Sequence, residues 1–460
     1  MASDHQADGE AATSPPVNEN YDEGDTVSAQ LRKVEEEFFA QRDVIESILS
    51  ARSDDPSSDD REFKMKYQAA LLEFSEKIQQ YELILEKQRV ESVVRDHAET
   101  EMQSPYTSDC PICLETISFT SYNSWVLFPC CGGGMCFECW QSKKCQTLKC
   151  CPLCRGNSTP DDNARLSKLR AEKGHPQFQV AEGRKYLYGK DGYPVDVEKG
   201  LELMNLAVEQ RHPLGSYLLG VLYRDGLGQL IPRSTAKAIH FLKEAGNLGY
   251  TDALGELGHL LMNRSIDALN ANTANADVDS DIQSSIRYTT LAYSQSQHQG
   301  YRCSGRGVND GINAFNMGLA FLSGMVPNLS KLQLLFRAKH YLEEAAMKGY
   351  ERAFGYLANT LNCIANEDHE LLLPYGPRVL FWGRKAAKVN RFDSKAIGLV
   401  ESMESVLRKI CACCCKIADS TDANDQFKRC SRCKSAWYCS KDCQAKHWNT
   451  GHKSECIKPK

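Results

Sequence analysis

A chain of 460 residues is long enough for roughly three globular units. Its 42% hydrophobic and 25% charged residues exclude both a membrane-embedded protein and a wholly disordered one. No run approaches the roughly 18 apolar residues that span a bilayer, and the N-terminus lacks the basic-then-apolar order of a secretory signal. A cytoplasmic or nuclear location is expected, with no membrane partner. The formal net charge of -5 excludes no partner class, because 55 basic and 60 acidic residues can still be segregated along the chain.

The 21 cysteines are the anomaly in the composition. Ten fall between Cys110 and Cys154 and nine between Cys411 and Cys456, leaving only Cys303 and Cys363 in between. In a reducing compartment, clustered Cys-x-x-Cys pairs are metal sites far more often than disulfides. Two compact metal domains are therefore expected to flank a cysteine-poor core.

In chain order, residues 1–26 read as a disordered acidic tail. The first 31 residues carry seven Asp or Glu and no Lys or Arg, too little apolar surface to offset the entropy of ordering. Over 27–103 the pattern turns helical. Leu31, Val34, Phe38, Ile45 and Ile48 follow an a/d spacing broken at Gln41, and after a turn around Asp54, Asp55 and Pro56 a second seam alternates Tyr67, Phe74 and Tyr81 with Leu71, Ile78 and Leu85. The two helices either close on each other as a hairpin or pair between chains as a coiled-coil dimer.

Residues 104–158 hold Cys110-Pro-Ile-Cys113, then Cys130, Cys131, Cys136, Cys139 and Trp140, then Cys151-Pro-Leu-Cys154-Arg155. Four pairs of thiolates can fill two closed tetrahedral Zn²⁺ sites with no open catalytic position. The order resembles an all-cysteine RING finger. That resemblance implies one zinc on Cys110, Cys113, Cys136 and Cys139, and a second on Cys130, Cys131, Cys151 and Cys154. The sequence departs from the family where the usual fourth-ligand histidine would fall on Gly133, so Cys145 and Cys150 stay open as replacements for Cys130 or Cys131. The resemblance also implies docking of a ubiquitin-charged conjugating enzyme on Ile112, Trp140 and Pro152, with Arg155 as the linchpin cation. The blander alternative is that the apolar residues cover a small core and Arg155 solvates its end.

Between 176 and 400 the sequence repeats itself. Gly183, Tyr186 and Gly189 recur 37 residues later as Gly220, Tyr223 and Gly226. Glu244-Ala-Gly-Asn-Leu-Gly-Tyr250 returns as Glu344-Ala-Ala-Met-Lys-Gly-Tyr350, and Gly258 and Gly318 hold the place of Gly220. Such units cannot bury their apolar faces alone and must stack. They resemble Sel-one-like repeats, short relatives of the tetratricopeptide repeat, in about five copies. The stretch from Asn263 to Asp281 reads as a loop inserted in the third copy. The repeat face is expected to bind other proteins.

Residues 408–458 carry Cys411, Cys414, Cys430, Cys433, Cys439, Cys443, His452 and Cys456. Seven cysteines and one histidine again satisfy two Zn²⁺ ions. The spacing closely resembles a MYND finger, which implies one zinc on Cys411, Cys414, Cys439 and Cys443 and another on Cys430, Cys433, His452 and Cys456. His447 competes as a ligand, and Cys413 and Cys415 are spare thiols. The resemblance also implies capture of proline-containing peptides through Ser431, Gln444 and Trp448. Ten basic against five acidic residues from Cys411 onward could suggest nucleic acid, but no stacking platform accompanies them, so protein is the expected partner.

The expected fold is mainly α: an α-solenoid of helix-pair repeats between two small zinc domains, preceded by a helical segment. The expected function is an adaptor-type ubiquitin ligase with four Zn²⁺ ions. The alternative is a non-enzymatic interaction scaffold with a degenerate RING-type finger. No constellation for acid-base or nucleophilic catalysis stands out, and no separate domain supports a methyltransferase.

Overall fold

The computed structural model describes residues 23–54, 60–100, 107–118, 125–148, 150–156, 159–271, 276–298, 311–324, 326–367, 372–390, 393–414, 416–418, 427–453 and 456. Residues 1–22, the turn at 55–59, Cys303 and Cys415 lie outside them. Among the described residues no helix is long and apolar enough to cross a membrane.

Two long helices, α1 (Glu23–Asp54) and α2 (Asp60–Thr100), pack together as a hairpin. Helix α1 begins three residues before the expected end of the acidic tail. Gln41, the break in the seam, is buried and donates from Nε2 to the Ala70 carbonyl at 3.2 Å. The Tyr81 hydroxyl donates to Glu35 at 3.2 Å, and Lys77 pairs with Glu37. The two helices thus pack on each other within one chain, the hairpin arrangement of the two expected.

The first cysteine-rich region contains two short antiparallel pairs, β1 (Thr107–Asp109) with β2 (Thr116–Ser118) and β3 (Trp125–Leu127) with β4 (Gly134–Cys136). Two short helices follow, α3 (Phe137–Gln141) and α4 (Lys143–Gln146). Helix α5 (Pro160–Glu172) opens on a Thr159–Asp162 capping box with proline in its first turn, two N-terminal signals acting together.

Five helix pairs come next: α6 (Pro176–Tyr188) with α7 (Val197–Glu209), α8 (Pro213–Asp225) with α9 (Thr235–Asn247), α10 (Thr251–Asn270) with α11 (Ala276–His298), α12 (Ile312–Leu322) with α13 (Lys331–Met347), and α14 (Arg352–Glu367) with α15 (Leu372–Val389). Helix α16 (Ser394–Leu407) closes the stack on α15. Apolar clusters are buried along the whole stack, as an α-solenoid requires.

The repeated residues have repeated jobs. A Cβ on Gly220 would come within 2.7 Å of Leu242, and one on Gly318 within 2.7 Å of Leu342, so each glycine lets its helix cross its partner closely. The Ala-x-x-x-Gly-Tyr endings form matching turns: Tyr250 N–H donates to the Ala245 carbonyl and Tyr350 N–H to the Ala345 carbonyl, both at 3.0 Å. The left-handed residues of those turns are Gly249 at φ 85° and Gly349 at φ 84°.

The expected loop between Asn263 and Asp281 is instead mostly helix. Helix α10 continues to Asn270 and α11 starts at Ala276, with only 272–275 outside the described residues. Polar composition suggested a loop, but Ser265, Val278 and Ile282 are buried, Ser265 bonds the Leu261 carbonyl within its own helix, and Arg264 pairs with Asp281 across the two helices. Tertiary packing overrides weak local propensity here.

Helix α2 also lies against α11 and α13, the second helices of their pairs. A polar stripe on α2 takes part in the contact and reaches α15 as well. Ser75 Oγ lies 3.1 Å from the Tyr375 hydroxyl, and Lys339 Nζ donates to Gln79 at 2.8 Å. Glu86 accepts from Arg337, Arg89 and the Tyr341 hydroxyl at 2.7 to 2.9 Å.

Downstream of α16, a short antiparallel pair β5 (Lys428–Arg429) and β6 (Trp437–Tyr438) precedes α17 (Lys441–His447) and a π-turn over Trp448–His452. The buried core of this region is continuous with that of the last repeat, joining Phe427 and Trp437 to the cluster of Met403 and Leu407.

Candidate zinc centres

The chain builds its metal-binding loops with one local device. Cys110, Cys151 and Cys430 each accept a hydrogen bond on their carbonyl from the residue four positions on: Leu114 at 2.8 Å, Arg155 at 2.9 Å and Lys434 at 3.1 Å. Those three residues are left-handed, at φ 64°, 62° and 57°. Backbone N–H groups also point at sulfur, as from Gly156 to Cys154 and Ser435 to Cys433, both at 3.4 Å. Each turn presents two sulfurs to the same side.

Four tetrads result, each with its ligand atoms within 4.8 Å of one another: Cys110, Cys113, Cys136 and Cys139; Cys130, Cys131, Cys151 and Cys154; Cys411, Cys414, Cys439 and Cys443; Cys430, Cys433, His452 and Cys456. A tetrahedral ion with bonds of about 2.3 Å sets sulfurs about 3.8 Å apart. The sulfur pairs match that edge: Cys113–Cys136 at 3.9 Å, Cys131–Cys151 at 3.9 Å, Cys130–Cys154 at 3.6 Å, Cys414–Cys439 at 3.6 Å and Cys430–Cys456 at 3.8 Å. His452 turns Nε2 to 3.6 Å from the Cys433 sulfur.

The charge balance also calls for a cation. Burial would raise the Cys110 thiol, yet backbone N–H groups of Cys113, Cys136 and Ile112 bring it down to about 7. Burial and the neighbouring Cys151 and Cys154 push Cys130 up to about 12. Packed thiolates cannot all ionise together without a positive charge among them, which a divalent ion supplies. Sulfur-rich, closed and four-coordinate, all four tetrads fit Zn²⁺.

The structure also places the alternatives. Adjacent Cys130 and Cys131 both reach the second tetrad, and the turn they need is closed by Gly132 at φ 76°, whose N–H donates to the Phe128 carbonyl at 2.8 Å. Cys145 is buried near Cys110, Met135 and Cys136, and Cys150 joins no tetrad. His447 Nδ1 lies 3.1 Å from the Tyr438 hydroxyl and its ring stacks on His452, so it supports a tetrad from outside. Cys413 is buried beside Cys443, its thiol pushed up to about 12 by burial and by Cys443 and Cys411.

Of the docking residues expected on the first finger, Ile112 is 47% exposed and Arg155 is exposed. Trp140 is half-buried, edge-on to Phe128 at 5.6 Å. Pro152 departs from the expectation of an exposed apolar group: it is buried beside the buried ligand Cys151. On the second finger Ser431 is exposed, while Gln444 and Trp448 are half-buried, with the Arg432 guanidinium 5.9 Å from the Trp448 ring.

Two arginines that sequence reading passed over tie the fingers to the solenoid. Arg170 on α5 donates to the Pro129 carbonyl at 2.6 Å and the Cys130 carbonyl at 3.0 Å, and a Cβ on Gly132 would collide with its guanidinium. Arg384 on α15 donates to the Lys434 carbonyl at 2.9 Å and to Ser435 Oγ at 3.0 Å. Each grips the backbone of a metal-binding turn. Nothing in the local sequence marks either residue, because the partners in the metal-binding turns lie far away in the chain.

Fold and site together define a zinc-finger protein built on an α-solenoid. Comparison with known families agrees: the MYND finger family matches residues 411–456, and the Sel1 repeat family matches 177–212, 213–250 and 314–350. The chain therefore carries a MYND finger and three recognisable Sel1 repeats, corresponding to the pairs that start at α6, α8 and α12. Ubiquitin carboxyl-terminal hydrolases 17 and 15 of Arabidopsis thaliana are 61% identical over 31 residues and 62% identical over 29 residues, or 7% and 6% of this chain. The chain spans only 4% and 3% of the length of those relatives. Among solved structures, a Sel1 repeat protein from Oxalobacter formigenes is 19% identical, with 54% of this chain and 79% of that one covered and a TM-score of 0.35. A protective antigen of uropathogenic Escherichia coli with an SLR fold is 21% identical, covering 54% of this chain and 52% of its own, with a TM-score of 0.28.

Proposed function

We propose that this protein is an adaptor-type ubiquitin ligase, in which the first finger recruits a ubiquitin-charged conjugating enzyme and the solenoid and MYND finger hold protein partners. The finger regions support the adaptor part of this reading, since closed four-ligand tetrads leave no coordination position for chemistry and Sel1 repeats and a MYND finger are protein-binding modules. The ligase part rests on one observation. Ile112 stands exposed between two ligands of the first tetrad, while Arg155 stands exposed directly after the last ligand of the second.

In this reading the finger performs no covalent step. Ile112 and the open edge of Trp140 form the apolar seat for the conjugating enzyme. The planar Arg155 guanidinium bridges acceptors on that enzyme and on ubiquitin, restricting the thioester to reactive geometries. The MYND finger takes a proline-containing peptide against Trp448, beside Gln444 and Ser431.

A scaffold without transfer activity is the second reading, favoured by the burial of Pro152 and by the replacement of the usual histidine ligand with adjacent cysteines. Discharge assays with a panel of ubiquitin-charged conjugating enzymes separate the two. A ligase accelerates discharge with at least one enzyme; Ile112→Ala weakens recruitment, and Arg155→Ala keeps binding but slows discharge. No acceleration across the panel leaves the scaffold.

A further inference from the structure

The peptide groove proposed for the MYND finger lies in a basic surface. Gln444 and Trp448 stand four residues apart on α17 and the turn that continues it, and Arg432, the neighbour of Ser431, holds its guanidinium 5.9 Å from the Trp448 ring, so the three groove residues share one face. Ser431 and Arg432 are exposed and Trp448 is half-buried. Residues 427–453 carry seven Lys or Arg against a single acidic residue, Asp442. Glu401 and Glu404 of α16, which reach the finger, lie with Arg408 and Arg429 in a cleft that includes none of the groove residues, and Arg384 engages Glu404. A ligand suited to this face combines proline with negative charge.

One segment of the chain has both. Pro15 and Pro16 are the only adjacent prolines in the sequence, within Ser14-Pro15-Pro16-Val17, and residues 1–22 carry five Asp or Glu and no Lys or Arg. Successive prolines lose little entropy when held extended against an aromatic ring.

The hairpin decides which finger the segment can meet. Helix α1 runs antiparallel to α2, with Gln41 at Ala70 and Glu35 at Tyr81, and Ser75, between these, meets Tyr375 of α15. Glu23 therefore stands roughly 15 residues, or about 22 Å of helix, past the level of the α15 contact, towards Arg89 and Thr290 of α11. The seven residues from Pro16 to Glu23 span at most about 25 Å when fully extended. That length only returns to α15, whereas the finger packs farther on, against Arg384 of α15 and the end of α16. The groove of the same chain is out of reach; that of a second copy is not.

We infer that Ser14-Pro15-Pro16-Val17 of one copy occupies the MYND groove of another, its prolines against Trp448 and the flanking Glu10, Glu19 and Asp22 facing Arg432, Lys441 and Lys446. Reciprocal exchange between two copies closes as a dimer, and any other proline-containing partner then competes with the tail. This deepens the proposed peptide capture by the finger, on which it rests, by naming its partner.

Sedimentation velocity of the zinc-loaded full chain over a concentration series tests it with two variants: Pro15→Ala combined with Pro16→Ala, which changes only the tail, and Trp448→Ala, checked for retained zinc. Wild type should dimerise, and each variant alone should do so at least about tenfold more weakly. One variant keeps the groove and the other keeps the tail, so their mixture should associate where neither does alone. A labelled peptide of residues 6–22 should bind the tail variant, and about tenfold less once Arg432→Glu, an exposed change that stands in for Trp448→Ala if that protein loses zinc, is added. A wild type that stays monomeric, a dimer untouched by the tail variant, or a peptide that fails to bind overturns the inference. A panel of unrelated proline-containing peptides then separates the two failures: binding that Trp448→Ala or Arg432→Glu abolishes leaves the capture reading standing, and no binding removes it as well.

Discussion

Arg337 on α13 grips Glu82 on α2 through hydrogen bonds of 3.0 and 2.8 Å, with both side chains only 5% exposed. The same guanidinium reaches Glu86 at 2.9 Å. Glu86 is shared with Arg89 of the hairpin itself, so Arg337 is the cation that faces Glu82 from the solenoid.

Removing that cation should release the hairpin. Arg337→Ala strands Glu82 in a buried site, while Glu86 keeps Arg89, and should cost about 3–5 kcal/mol, the range for breaking a buried pair from one side. Glu82→Gln combined with Arg337→Met should recover much of the loss, since neither partner is then left charged and alone. Denaturant unfolding gives the energies, and limited proteolysis of α1 and α2 shows whether the hairpin has come away. Equal stability of Arg337→Ala and wild type would contradict the coupling.

Metal analysis should find four Zn²⁺ ions per chain. Cys130→Ser and Cys131→Ser should each weaken or lose one ion, because both sulfurs belong to the second tetrad. Cys145→Ser and Cys150→Ser should keep all four. Loss of zinc in Cys150→Ser with full occupancy in Cys131→Ser would reassign that tetrad.

Chelation should separate zinc-dependent from zinc-independent structure. The repeats bury a metal-free apolar core, so most helical circular dichroism should survive. The exception is the C-terminal end, where Met403 and Leu407 share a core with Phe427 and Trp437. Hydrogen exchange in α16 should therefore accelerate on chelation while that in α8 and α9 stays slow. Collapse of helicity throughout would place the metals at the centre of the fold.

Acid should weaken the solenoid partly through His212, which burial pulls down to about 4. The unfolded chain takes up this proton near pH 6.5, and the folded chain refuses it until about 4. Stability therefore falls as pH drops through that window and levels off below it. The full effect is at most about 3 kcal/mol. His212→Gln should flatten the pH dependence relative to wild type at each pH, a comparison that subtracts any loss of zinc common to both proteins. An unchanged slope between pH 6.5 and 4 would remove His212 from the acid response.

Sequence alone determined the elements whose information is local. Ligand spacing announced four tetrads, since a Cys-x-x-Cys turn is built from its own backbone hydrogen bonds. The 37-residue recurrence announced helix pairs, since Gly220 and Leu242 meet within one repeat unit. Tertiary structure decided what depends on partners far away in the chain. The α2 stripe of Ser75, Gln79, Glu82 and Glu86 looks like a solvated face to any reading based on hydrophobic period, yet buried Arg337, Tyr341 and Tyr375 make it an interface. Asn263 to Asp281 looks like a loop by composition, yet packing between α10 and α11 makes it mostly helix. The choice of Cys130 with Cys131 over Cys145 or Cys150 likewise needed three-dimensional placement. Apolar periodicity records where water is excluded by greasy faces, whereas a polar group becomes a core residue only when a complementary charge or hydrogen bond arrives from elsewhere in the fold.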